Sequence, residues 1–588
     1  MARKLILIGI DGMDPGIAEQ MMAAGELPNF ARLAASGHYD RLATIAPPQS
    51  PAVWSSIATG LNPGEHGVFD FIHRNPVTCV PNLSLFRLER GRYVNPVQST
   101  TFWERLAGHN IPATLLKWPM GFPPRQFDGR LLAGLGVPDI RGMLGVYTIF
   151  TSVPGALPPD AKGRIVTVAP QGGRISTEIT GPFAASLAGR KEVSVPLSIE
   201  IEGDAVRCRV GRQSFILRER EWSGWLAIPF DVGFFRNVTG LCRFYLKSLH
   251  PDFVLYMTPV NVDYSSADFP VSTPAGYAGD LLRAIGHYAT LGLSEDTNAF
   301  NDGVLNEDEF LFQCSGIMDE RERMFYHELS CFKEGLLACV FDTTDRIQHM
   351  FWRMLDEDHP MYAAELAERY GAVIADTYRR MDSVIGTVLE RAPDASVVVC
   401  SDHGFTTFRR SVHVNTWLVE NGFMTLRPGF RSCEGLFEAV DWSRTTAYAV
   451  GFTSLYLNVR GREKQGIVSE ADVAEVKRTL AAKLESLADR GQPVVHAVHD
   501  TQSLYHGKER SGGPDLVIGL GAGYRVSSQT AVGGVAAGPV IEDNLKKWSG
   551  DHCCDASLVP GVFFSSDRDL SSPPDVLGIA TLVKDFFQ

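Results

Sequence analysis

The chain has 588 residues, 45% of them hydrophobic and 21% charged, and its 55 basic and 68 acidic side chains leave a net charge of −13. That length exceeds one ordinary hydrophobic core, so one large domain with insertions, or two to three domains, is expected. The acidic balance argues against a general nucleic-acid binder, which carries a basic surface, yet it leaves room for a small phosphorylated substrate held by a local site.

The first element, LILIGI (5–10), follows a short basic start and runs straight into Asp11 and Asp14 with no small-residue cleavage site. It reads as a buried parallel strand and not as a signal peptide. No stretch approaches the roughly 18 apolar residues of a membrane span, so no membrane partner is expected. The ten cysteines form no spaced framework, which points to a cytoplasmic location; the vicinal Cys553–Cys554 pair reads as two ordinary thiols. A helical pattern follows over 15–37. In PPQSPAVWSSIATG (47–60), Ser50 suits a helix N-cap, Pro51 the first helical position and Gly60 the left-handed residue after the last turn. The expected helix, 51–59, points free N–H groups and a positive dipole end at whatever lies before it. The Ser50 hydroxyl there can cap the helix or attack phosphorus.

Another helix is expected over 101–108. Residues 164–260 carry short β-rich runs between Gly and Asp turns, a β insertion that would form one face of a substrate cap. Residues 275–330 are helical in pattern. LLACVF (336–341) runs to Asp342 and Asp345, and SVVVCS (396–401) runs to Asp402. A helical pattern over 362–391 lies between them. A mixed segment, 433–545, holds SLYLNV, a helix from Glu470 to Ala488, and PDLVIGL. Buried strands alternating with helices predict an α/β fold with a central, mostly parallel sheet flanked by helices. The expected division is core over 1–150, a β-rich then helical cap over 151–330, core over 331–432, a mixed α/β cap over 433–545, and core completion over 546–588.

Ligands in such sheets bind beyond the carboxyl ends of the strands, where three strands here end in aspartate. In FDTTDRIQHMFW (341–352), Asp345 and His349 stand four apart, on one helix face, as two ligands of one cation would. In SDHGF (401–405), Asp402 and His403 are adjacent and point in different directions unless the loop bends. SGDHCCD places His552 in a glycine-preceded turn. Oxygen and imidazole donors suit zinc, and also manganese or iron.

The stretches GIDGMDP (9–15), SPAVWSSIATGLNPGEHGVFDF (50–71), DRIQHMFW (345–352), SDHGF (401–405) and SGDH (549–552) together resemble the alkaline phosphatase superfamily. Within it they resemble the type I phosphodiesterase/nucleotide pyrophosphatase branch, and more closely its bacterial predicted phosphohydrolase/phosphomutase group. GREKQGIV (461–468) and GGPDLVIG (512–519) add weaker likeness. The resemblance implies an alkaline-phosphatase-like fold and two divalent metals, usually zinc. One metal would take Asp345, His349 and His552; the other would take Asp11, Asp402 and His403. Ser50 falls on the nucleophile position, where it would also touch the second metal.

The resemblance departs elsewhere. Val53 stands where the eukaryotic-type pyrophosphatases carry Asn three residues after the nucleophile, and Trp54 replaces the Arg of the sulfatase signature, which argues against formylglycine at Ser50. Substrate-binding candidates in their stead are Lys117, Asn261, Asp263, Arg409 and His413, with Arg346, Arg410 and Asn415 behind them. The expected activity is a metal-dependent phosphodiesterase with a phosphoserine intermediate. The alternatives are a phosphomutase or phosphomonoesterase of the same superfamily and a non-catalytic metal- or phosphate-binding protein.

Overall fold

The computed structural model describes residues 3–155, 157, 158, 160–186, 189–233, 237–570 and 572–588, so the first two residues of the basic start lie outside it. The apolar runs form the middle of an eight-stranded sheet. Its strands are β1 (Lys4–Ile10), β2 (His38–Leu42), β3 (Ala113–Trp118), β4 (Arg130–Ala133), β5 (Ser272–Thr273), β6 (Gly335–Phe341), β7 (Ser396–Cys400) and β8 (Gly561–Ser565). Their order is β2-β8-β7-β1-β6-β3-β4-β5. The inner neighbours β7, β1, β6, β3 and β4 pair in parallel. The edges are antiparallel, through β2–β8, β8–β7 and β4–β5. β1, β6 and β7 are buried along nearly their whole length, as parallel strands covered on both faces must be. The register pairs Ile10 with Phe341 and Gly9 with Cys400. Residues 11, 342 and 401 therefore leave the sheet together at one edge.

Helices flank this sheet. The single helix expected over 15–37 is two, α1 (Pro15–Ala23) and α2 (Pro28–Ser36), because left-handed Gly25 ends the first and Pro28 starts the second. α3 (Ser50–Thr59) ends at left-handed Gly60, as expected. Its Trp54 lies flat on β1, where a Cβ at Gly9 would sit 2.5 Å from the indole. α4 (Glu307–Cys331), α5 (Thr343–Phe351) and α6 (Val373–Arg391) complete the layer that matters for the site. Residues 470–488 form a 3-10 turn (Glu470–Asp472) and a shorter helix, Val473–Glu485.

The β-rich segment holds a four-stranded antiparallel meander over Arg174–Ser186, Gly189–Glu202, Ala205–Val210 and Gln213–Arg218, with its own apolar core. The helical segment after it behaves differently: Phe310, Cys314, Met318 and Phe325 of α4 join the main core under the sheet. Residues 433–545 carry a four-stranded sheet over Ala447–Ala449, Ser454–Leu457, Leu516–Leu520 and Val495–Asp500 with a separate core. Among the described residues no helix is long and apolar enough to cross a membrane. All ten cysteines are free thiols.

Candidate active site

The carboxyl edge of the sheet gathers the strand-end acids. The backbone N–H of Asp11 donates to Phe341 O at 2.9 Å, which ties the end of β1 to β6. Gly12 N donates to Asp402 Oδ1 at 3.1 Å, which ties it to the loop after β7. In the first turn of α5, Asp345 Oδ1 lies 3.3 Å from His349 Nε2, so the i, i+4 spacing does place both on one face. His552 arrives from the C-terminal loop with Nε2 3.7 Å from that same oxygen. The loop after β7 bends, so that Asp402 Oδ2 and His403 Nε2 meet at 3.1 Å, and His403 Nε2 stands 3.8 Å from Asp11 Oδ1.

Each imidazole is anchored by its other nitrogen. Nδ1 of His349 donates to Gly550 O at 2.7 Å, that of His403 to Gly404 O at 3.0 Å, and that of His552 to Pro48 O at 2.6 Å. With Nδ1 holding the proton, each Nε2 lone pair faces the carboxylates, which is the tautomer a metal ligand needs. The His403 and His552 rings stack with centroids 3.6 Å apart, so the two ligand groups stand side by side.

The residues fit divalent cations. Asp345, His349 and His552 form one buried group and Asp11, Asp402 and His403 another, each with donor atoms within 4.8 Å. Asp11 Oδ1, Asp345 Oδ1 and Asp402 Oδ2 are buried without a hydrogen-bond partner, a costly state for carboxylate oxygens unless a cation answers them. Burial lifts the Asp11 carboxyl well above its usual range, and the facing Asp402 and Asp345 lift it further. Burial would also raise Asp345, but His349 and Arg346 beside it hold it well below. Burial pushes His403 down, but Asp402, Asp11 and Asp345 outweigh it and raise it to about 9. His552 falls well below the usual imidazole value through burial and then through His403. This is an acidic cage around imidazoles that wants positive charge.

Ser50 is not the cap expected from its sequence. Gln49 is the N-cap, and Ser50 is the first residue of α3 and makes no capping bond. Its hydroxyl is thereby free, and Oγ lies 3.1 Å from His403 Nε2. Trp54 is fully buried and packs edge-on against Trp118 at 5.6 Å, as a core residue would. Its Nε1–H also donates to Asp11 Oδ2 at 2.9 Å, a role with no spacing signature in the sequence. Arg346 pairs with Asp345. Cys553 and Cys554 are buried, and burial raises both thiols, so neither is a ready nucleophile.

Apart from Arg346, the substrate-binding candidates meet partners outside the two ligand groups. Lys117, in β3, has left-handed backbone (φ 52°) and donates Nζ to Ala289 O at 2.5 Å; burial brings it down to about 7. Asn261 Oδ1 accepts from Thr290 N and Leu291 N, both at 2.9 Å. Asp263 closes a turn with Ser265. Arg409 makes a fork on Asp356, Arg410 pairs with Asp489 and Asp543, and His413 Nε2 lies 3.0 Å from Glu542. Asn415 bonds the backbone of Ala449 and Gly534.

A family model described as type I phosphodiesterase / nucleotide pyrophosphatase matches residues 5–200 and 265–542. No curated protein matches the chain in sequence. Among solved structures, phosphonoacetate hydrolase from Sinorhizobium meliloti 1021 in complex with phosphonoformate is similar at 12% identity and a TM-score of 0.45, over 100% of this chain and 96% of that one. An inactive form of murine ectonucleotide pyrophosphatase / phosphodiesterase 5 in complex with AMP is similar at 10% identity and a TM-score of 0.42, over 100% and 95%.

Proposed function

The chain belongs to the type I phosphodiesterase/nucleotide pyrophosphatase family of the alkaline phosphatase superfamily, and from that premise we propose that it is a two-metal phosphodiesterase or phosphoanhydride hydrolase with Ser50 as nucleophile. One observation carries this reading: Ser50 Oγ meets His403 Nε2, the nitrogen that also faces Asp402 and Asp11. The hydroxyl therefore adjoins a ligand group without being spent as a cap.

Asp345, His349 and His552 would hold one cation and Asp11, Asp402 and His403 the other. Zinc suits the donors best, with manganese or iron as alternatives. Bound there, the cations would favour the Ser50 alkoxide and neutralise charge on the phosphoryl oxygens. The chain's own groups do the rest. The N-terminus of α3 offers its positive dipole end to the phosphoryl group. Trp54 and the three backbone carbonyls under Nδ1 keep the ligands in place. Attack by Ser50 Oγ in line with the leaving oxygen forms a new P–O bond as the bond to that oxygen breaks, releases the first alcohol and leaves Ser50 joined to a phosphate that still carries the second ester group. Water then cleaves the bond to Ser50, releases the phosphomonoester and restores the hydroxyl. A cytoplasmic setting is consistent with ten unpaired thiols.

A phosphomutase is the second reading, favoured by one observation: Ser50 keeps only 3% of its surface exposed. A closed site favours return of the phosphoryl group to another hydroxyl of the same substrate. The test supplies metal-analysed wild type and Ser50→Ala with bis(p-nitrophenyl) phosphate and p-nitrophenyl phosphate, each with zinc and with manganese. Diester turnover that drops by at least about three orders of magnitude in Ser50→Ala supports the proposal. Monoester preference reverses the substrate class, and two bound metals with neither ester turned over favours the mutase.

A further inference from the structure

The loop that carries His552 is gripped from the insertion over 433–545. Asp551 precedes His552, and its Oδ1 accepts the backbone N–H of His552 at 2.9 Å and of Cys553 at 2.8 Å. Its Oδ2 accepts Trp548 Nε1–H at 2.7 Å and lies 3.9 Å from His349 Nδ1. The Trp548 ring in turn lies against the His349 ring, with centroids 3.8 Å apart. Asp551 thus braces both imidazoles of one ligand group and is not counted among that group's ligands.

The charge on Asp551 is answered from the insertion. Arg525, buried on the strand Gly523–Val526, places Nε 2.7 Å from Asp551 Oδ2. Its guanidinium lies 4.2 Å over the Phe452 ring of the same insertion, so the insertion orients it before it meets the loop. Three residues past His552 there is a second grip. Asp555 Oδ2 meets His499 Nε2 at 2.7 Å, and Asp555 N donates to Leu520 O at 2.9 Å. A Cβ at Gly519 would sit 2.1 Å from Asp555 Oδ2, so only glycine in PDLVIGL lets the loop come this close. The other ligand group sits at the end of β1, on the loop after β7 and beside Trp54, receives no bond from either grip, and meets the gripped loop where His403 stacks on His552.

We propose that Arg525 is a positioning residue that acts through Asp551, so that the insertion over 433–545 controls the metal site of Asp345, His349 and His552 and leaves the site of Asp11, Asp402 and His403 alone. This rests on the two-metal reading. Removing Arg525 would leave the buried Asp551 carboxylate without its counter-charge and loosen the loop and the Trp548 ring that hold His552 and His349 in place. Loss of such an outer partner typically weakens metal affinity about 10- to 100-fold.

The experiment is a zinc titration of the metal-stripped full chain against a competing chelator, for wild type, Arg525→Met, Arg525→Lys and Asp551→Asn. Cobalt(II) visible spectra would serve as a second readout. The expected result is two tight sites in wild type. In Arg525→Met and Asp551→Asn, one site is weakened about 10- to 100-fold and the other is unchanged. Arg525→Lys, which keeps the charge, recovers part of the loss. Asp551→Asn keeps the shape of the loop and decides the matter if Arg525→Met does not fold. Two unchanged sites in Asp551→Asn, or equal weakening of both, overturn the proposal and leave the two-metal reading standing. No bound zinc in wild type overturns both.

Discussion

At the first residue of α3, the Ser50 hydroxyl lies 3.1 Å from His403 Nε2. A cap would have spent it on a backbone N–H; the shift of the helix start by one residue hands that place to Gln49 and turns the hydroxyl toward His403. That Asp345, His349 and His552, and Asp11, Asp402 and His403, gather in two buried groups was foreshadowed in the sequence, because acids and histidines recurred at strand ends. Trp54 and Asp551 were not legible, since the hydrogen bond from Trp54 to Asp11 and the ion pair of Asp551 with Arg525 join groups distant in sequence that no local spacing records. Trp54→Phe keeps an aromatic ring in the core but loses the bond to Asp11 together with part of the packing on β1, so it should weaken the Asp11–Asp402–His403 site about tenfold or more, and by more than the other site; chelator competition reads this out. His66 supplies a pH test. It is fully buried, and burial alone lowers it to about 3. Between about pH 6.5 and that value the unfolded chain holds a proton there that the folded chain does not. Stability is therefore lost as pH falls through this window, by up to about 1.4 kcal/mol per pH unit. His66→Gln should flatten the acid side of a melting-temperature profile relative to wild type.

The stretches GREKQGIV and GGPDLVIG resembled the family without offering chemistry, and at the level of elements they prove to be joints. Glu463 is buried and pairs with Arg74 at 2.9 Å, and it accepts from Arg462 and from Val459 N. Arg462 forks onto Asp515, which also accepts from Leu457 N. Arg74 donates to Gly512 O and lies 4.7 Å over the Tyr456 ring, so it pins the strand Ile72–Arg74 to the segment over 433–545. Glu463→Gln leaves Arg74 buried without its counter-charge and should destabilise the protein by about 3–5 kcal/mol. A lowered melting temperature with unchanged zinc content would mark the role as structural; loss of zinc would contradict it. Helix positions were largely readable from apolar spacing, and the break over 15–37 followed the left-handed backbone of Gly25 and the helix start at Pro28.

Across the whole molecule, the buried strands announced a parallel sheet, because only strands covered on both faces run apolar without alternation. Their order was not readable: β3 reaches β6 across two hundred residues, and nothing local records that pairing. Nor did periodicity reveal that α4 belongs to the main core while the β-rich segment before it has its own. Burial on both sides looks alike wherever the partner lies. What the fold achieves is convergence, bringing β1, α3, α5, the loop after β7 and the C-terminal loop to one edge, with an insertion gripping the last of them. The central claim is that this convergence exists to transfer a phosphoryl group onto Ser50. Rapid-quench mass spectrometry of zinc-loaded protein mixed with bis(p-nitrophenyl) phosphate addresses it directly. The account predicts a transient p-nitrophenyl phosphoryl adduct on the peptide bearing Ser50, absent in Ser50→Ala. Steady turnover of the diester with no adduct on Ser50, or with full activity in Ser50→Ala, would contradict it.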